Sequence, residues 1–175
     1  MTCIVGIADG NKVWMGADSM VSDGSLKAMF AEGKLWRVGE LLIGGCGDVR
    51  PEQILLHNLK LPVRPKAMPA AKYLVTRVVP AMSKLLSEHG MLKKGQLRGG
   101  GSMMVGYDGE LYSIGCDLSV VVASDRYAAE GSGRDFALGS LHSSTGDPAK
   151  RLTKALEAAA YHELHVGPPF VYQTV

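Results

Sequence analysis

The chain has 175 residues, 46% hydrophobic and 21% charged, with a formal net charge of +2. That balance suits one globular domain over residues 1–175, large enough to bury a core without staples. Three cysteines (Cys3, Cys46, Cys116) without a CxxC spacing point to reduced thiols in a cytoplasmic protein, not to a disulfide framework or a zinc site. No leader-like n-region and no long apolar run is present, so neither a signal peptide nor a membrane span is expected.

Residues 2–8 read as a strand, with Ile4, Val5 and Ile7 in a short apolar run. Asp9-Gly10-Asn11 is a hairpin turn signal, and residues 12–17 return as the second strand. Residues 19–33 are polar and contain glycine, which predicts a loop carrying short strands at most. Residues 34–38 and 41–44 form a second hairpin around Gly39-Glu40. Three glycines follow in four residues, Gly44-Gly45-Cys46-Gly47, a turn where other atoms can approach the backbone closely. Asp48 is placed to cap a helix running to about residue 59. A longer helix covers residues 70–89, with Leu74, Val78, Met82, Leu85 and Leu86 on one stripe. Pro80 should kink it and Gly90 should end it. Residues 95–101 are a glycine-rich loop without the GKS/T of a phosphate cradle.

Residues 102–107 and 110–114 form a third hairpin around Asp108-Gly109. Residues 120–123 and 126–129 are further short strands. Gly131-Ser132-Gly133 leads into a helix over about residues 135–142. Asp147-Pro148 starts a helix reaching about residue 164, and residues 170–174 are a last strand. Strands grouped in hairpins favour an α+β fold of antiparallel sheets with helices outside.

Charge is uneven along this order. Residues 60–98 hold nine basic and one acidic side chain, a net of +8, against −2 before them and −4 after them. A basic segment suits nucleic acid or an acidic neighbouring subunit. Tyr73 is its single aromatic, too little for a base-stacking surface, which disfavours nucleic acid.

Thr2 is followed sixteen positions later by Asp18 and thirty-two positions later by Lys34. Once Met1 is removed, Thr2 carries a hydroxyl and a free α-amine. A threonine hydroxyl needs a base to become a nucleophile. An α-amine titrates near ~7.7–8.0, against ~10.4 for a lysine, so it is largely neutral at physiological pH and can take that proton. Lys34, charged beside the hydroxyl and held by Asp18, lowers the cost of the alkoxide. Taken singly, the three residues also read as a strand residue, a turn residue and a surface charge.

Thr2, Asp18 and Lys34, with the run TCIVGIADGNKVWMGADS, resemble the proteasome β-subunit family and especially its bacterial HslV-type members, which are N-terminal nucleophile hydrolases. The resemblance implies a four-layer αββα sandwich of two antiparallel sheets flanked by helices. It implies a threonine peptidase without metal or cofactor. The glycine turn resembles the family's oxyanion turn, with Gly47 the preferred N–H donor and Gly45 the alternative. YAAEGSG, residues 127–133, resembles a later segment that puts Ser132 near the nucleophile; Ser132 also reads as a helix cap. Val21, Glu32 and Cys46 are expected to border the pocket for the residue before the scissile bond. Implied partners are further copies of the chain in a ring or double ring, an AAA+ ATPase unfoldase and unfolded polypeptide substrates, with no nucleic acid and no membrane.

The chain also departs from that pattern. Relatives carry an aspartate in the late helix and then a small hydroxyl residue. Here the stretch is YHELHVGPP, residues 161–169, where His162 reads either as a replacement for the carboxylate or as a histidine at a helix end. It is not an HExxH zinc pattern. No propeptide is seen, so Met1 must be trimmed, and a small second residue favours methionine aminopeptidase. Two other readings are a non-catalytic ring or scaffold subunit and a small-molecule amidase acting without a ring.

Overall fold

The computed structural model describes residues 1–22, 25–29, 31 and 33–175. The strands β1 (Cys3–Asp9) and β2 (Lys12–Asp18) make the first hairpin, turning at Gly10 with φ +58°. Two short strands, β3 (Met20–Ser22) and β4 (Lys27–Met29), pair within the predicted loop. The second hairpin is β5 (Leu35–Val38) with β6 (Leu41–Cys46), followed by α1 (Val49–Asn58). Asp48 stands at the N-cap position of α1 but makes no side-chain cap bond.

The long helix is interrupted. It runs as α2 (Ala70–Tyr73), a π-helical turn (Leu74–Val78) and α3 (Val79–Glu88). In an unbroken α-helix the ring of Pro80 would meet the carbonyl four residues back, that of Thr76, and would supply no N–H. The wider π turn covers that residue. A minor hairpin, β7 (Leu92–Lys93) and β8 (Gln96–Leu97), occupies part of the expected glycine loop. Then come β9 (Ser102–Tyr107), β10 (Glu110–Ile114), β11 (Val120–Val122) and β12 (Tyr127–Gly131). The helices α4 (Arg134–Ser143) and α5 (Pro148–His162) and the strand β13 (Phe170–Thr174) complete the chain. The expected cap of α5 is present, with Asp147 accepting from the Lys150 N–H at 2.9 Å.

The strands assemble into two main antiparallel sheets, ordered β12-β1-β2-β13 and β11-β10-β9-β6-β5. Three apolar cores follow from their alternation. Ile4, Val13, Met15 and Ala17 of the first sheet pack with Leu35, Leu42, Met104 and Leu111 of the second. On the other face of the first sheet, Cys3, Val5 and Ile7 meet Ala137 and Leu141 of α4 and Leu152, Ala155, Leu156 and Ala159 of α5. On the other face of the second, Trp36, Leu41, Ile43 and Val105 meet Ile54 and Leu55 of α1 and Leu74, Val78, Met82 and Leu86 of the long helix. β1 is therefore apolar at consecutive positions because both of its faces are covered. Among the described residues no helix is long and apolar enough to cross a membrane.

Candidate active site

Strand ends bring the sequence candidates together. Thr2 precedes β1, Asp18 ends β2, and the antiparallel register sets Ile4 opposite Ala17 and Cys3 opposite Gly131. Ser132 follows β12, Lys34 precedes β5, and Gly47 follows β6. All five therefore lie at one end of the two sheets.

Asp18 and Lys34 form a buried ion pair, 2.8 Å from Oδ1 to Nζ, with side-chain exposures of 0% and 7%. The aspartate also accepts the backbone N–H of Cys3 at 2.8 Å and that of Met20 at 3.2 Å. Lys34 Nζ donates further to the Met20 carbonyl at 2.7 Å and to the Met1 carbonyl at 3.1 Å. The Thr2 hydroxyl donates to that same Met1 oxygen at 2.6 Å. Hydroxyl and ammonium thus converge on one carbonyl oxygen at the peptide bond that precedes Thr2.

The Thr2 nitrogen donates to Ser132 Oγ at 3.4 Å, and Ser132 Oγ lies 3.4 Å from the Thr2 carbonyl as well. Ser132 does not cap α4; Gly133 holds the N-cap position. Gly131 is needed beside it: its φ is +93°, and a Cβ there would stand 2.2 Å from the Thr2 carbonyl oxygen. Gly47, at φ +118°, has the Gly101 backbone in the same relation, 2.8 Å from an added Cβ. Gly45 has a different job. Its N–H donates to the Lys34 carbonyl at 3.3 Å, tying the glycine turn to the lysine strand.

Thr2, Gly47 and Ser132 line one cleft of about 420 Å³ with Cys46, Ser102 and Arg134, a size that suits a small number of substrate residues. The Cys46 thiol lies 3.0 Å from Ser102 Oγ, which donates to Glu130 Oε2 at 2.6 Å. Burial, first among its causes, raises the Cys46 thiol above its ordinary pKa. Burial and then the Asp18 charge push the Cys3 thiol up to about 12, so Cys3, next to Thr2, stays protonated and is no competing nucleophile. Among the described residues no cluster of three or more His, Cys, Asp or Glu is placed to hold a metal ion.

The pocket residues expected from the sequence separate. Cys46 is in the cleft, whereas Val21 lies on β3 opposite Ala28 and is not part of the cleft lining. Glu32 falls outside the described residues. His162 stacks on Phe136, 5.0 Å between ring centroids, and meets the edge of Tyr161. Both of these rings belong to α4 and α5. His165 instead reaches Ser22 Oγ on β3 at 3.1 Å. Arg134 was absent from the sequence candidates, since it reads as an ordinary first-turn residue of a helix.

No protein-family model matches the chain, and no curated protein matches it by sequence. Solved structures do. Thiobacillus denitrificans BPH, in complex with epoxomicin, is similar at 19% identity and a TM-score of 0.81, over 99% of this chain and 98% of that one. Eukaryotic HslV from Trypanosoma brucei is similar at 20% identity and a TM-score of 0.73, over 99% and 98% of the two chains. Anbu from Hyphomicrobium sp. strain MC1 is similar at 14% identity and a TM-score of 0.71, over 99% and 82%. These likenesses establish architecture: the chain shares the fold of BPH, HslV and Anbu.

Proposed function

We propose that this chain is the proteolytic subunit of a self-compartmentalising, HslV-like threonine peptidase, active once Met1 is removed. The observation that carries the reading is the convergence of Thr2 Oγ1 and Lys34 Nζ on one carbonyl oxygen, with the Thr2 nitrogen at Ser132. In the trimmed chain the Thr2 amine takes the hydroxyl proton, and the oxygen attacks the substrate carbonyl carbon. Lys34, fixed by Asp18, stabilises the forming alkoxide. The Gly47 N–H donates to the tetrahedral oxyanion, an interaction worth roughly 3 kcal/mol. The C–N bond then breaks, the leaving nitrogen takes the proton from the Thr2 amine, and water later hydrolyses the acyl ester. Cys46 borders the acyl pocket in this reading.

The three stacked cores support the four-layer αββα order. The fold likeness supports a cytoplasmic homo-oligomeric ring or double ring, fed by an AAA+ unfoldase with unfolded polypeptide. Intact-mass analysis before and after treatment with epoxomicin, the compound bound to BPH, tests the chemistry. The expected result is loss of Met1, one adduct per chain, and peptide hydrolysis that falls to background in Thr2→Ala. Retained Met1 without an adduct assigns the chain to a non-catalytic scaffold role. A Thr2→Ala variant with undiminished hydrolysis removes the nucleophile.

A further inference from the structure

We propose that Arg134 reads a carboxylate on the leaving half of the substrate, so that the cleft favours cleavage just before an anionic residue. The inference rests on the threonine-nucleophile reading above. In that chemistry the base hands its proton to the departing nitrogen, so that nitrogen must come within hydrogen-bond reach of the Thr2 amine. The Thr2 nitrogen is 3.4 Å from Ser132 Oγ, which fixes the leaving side of the cleft at the β12–α4 junction. Arg134, two residues beyond Ser132, lines that same cleft. Gly47 and Cys46 stand on the wall formed by the second sheet, where the acyl half is held.

Arg134 is the one charged side chain among the described residues lining the cleft. Among the described residues its guanidinium has one exposed partner. Nε bonds Asp135 Oδ1 at 3.3 Å, in a pair whose side chains are 59% and 82% exposed, and an exposed pair of this kind adds little stability. Exchanging that carboxylate for one on the substrate therefore costs little. The planar fork of the guanidinium matches a carboxylate in two-point geometry. The Glu130 carboxylate is held at the second-sheet wall, where it accepts the Ser102 hydroxyl at 2.6 Å. The carboxylate can come from an acidic side chain directly after the scissile bond or from the free terminus of a one-residue leaving group.

Two peptide series on the trimmed protein separate these sources. In the first, peptides differ only in Glu, Gln or Lys after the scissile bond. In the second, the leaving group is a single residue with a free carboxylate or an amide. The expected result is kcat/KM about fivefold higher for the anionic member of at least one series, the scale of an exposed ion pair. The preference should shrink as salt rises, and the Glu-over-Lys order should reverse in Arg134→Glu. Turnover that is indifferent to charge in both series overturns the inference and leaves the nucleophile standing. Absent turnover, with no adduct on Thr2, overturns the nucleophile instead. Titration of the Glu and Gln peptides by calorimetry then still reads the cleft, and equal Kd values overturn the role of Arg134.

Discussion

Lys34 has three ammonium protons and three oxygen partners: Asp18 at 2.8 Å, the Met20 carbonyl at 2.7 Å and the Met1 carbonyl at 3.1 Å. The first two belong to the framework and fix the side chain. The third belongs to the residue that trimming removes, so loss of Met1 releases one donor toward the reaction centre while the other two keep their geometry. The same pair carries structural weight. Lys34→Met would leave Asp18, fully buried, with two backbone N–H donors and no counter-charge. Breaking a buried ion pair in this way costs about 3–5 kcal/mol. We expect Lys34→Met to lower stability by that amount in urea titration and to abolish peptide hydrolysis. Unchanged stability would mean that the Asp18 charge is satisfied by its backbone donors alone.

Elements announced by their own turn chemistry were legible in the sequence. The hairpins at Gly10, at Gly39 and at Asp108-Gly109 carry left-handed turn residues with φ between +52° and +74°, and β10 and β13 fall on their expected bounds. What depended on partners was not legible. Residues 120–123 and 126–129 read as two neighbouring short strands, yet β11 joins β10 in the second sheet and β12 joins β1 in the first. His162 read as a stand-in for a carboxylate or as a helix-end histidine, and it stacks on Phe136, while His165 reaches β3.

Glu52 shows the same limit. In the first turn of α1 an acid reads as a solvated partner of the helix dipole. In the fold it lies over Gly45, where an added Cβ would stand 2.5 Å from Glu52 Oε1 and 2.7 Å from Trp36 Cη2. Burial, offset in part by the Lys34 charge, lifts its carboxyl from 4.5 to about 7. Below about 4.5 both folded and unfolded chains hold this proton. As pH rises toward 7 the unfolded chain releases it first, so the folded state loses relative stability across that window and the penalty is complete above it. Glu52→Gln should therefore be more stable than the parent at pH 8, by roughly 1–3 kcal/mol, with the difference fading toward pH 4. Thermal melts at pH 4, 6 and 8 measure it; a constant difference at all three would detach the effect from titration.

On the scale of the whole molecule, the helix of the +8 segment carries basic side chains on its outer face. Lys72 and Arg77 project from the helix whose opposite face, through Leu74, Val78 and Met82, packs on the second sheet, and both are exposed, as are Lys84, Lys93 and Lys94. Val75 is exposed among them. A basic layer on one side of a chain whose other segments carry −2 and −4 provides two unlike surfaces, and heterologous contacts between unlike surfaces close into rings when the rotation permits. Charges at such a rim act over about 10 Å at 0.1 M salt and are screened beyond it. Reversing two of them should therefore weaken assembly most at low ionic strength. For Lys72→Glu combined with Arg77→Glu we expect a smaller mass by sedimentation at low salt than the parent, and a flatter or inverted salt dependence. Assembly and salt response identical to the parent would exclude this face from subunit contacts. Salt-sensitive binding of DNA or RNA, lost in the same double variant, would assign the layer to nucleic acid. The two outcomes separate because a subunit contact responds to chain concentration, whereas a polyanion site responds to added polyanion.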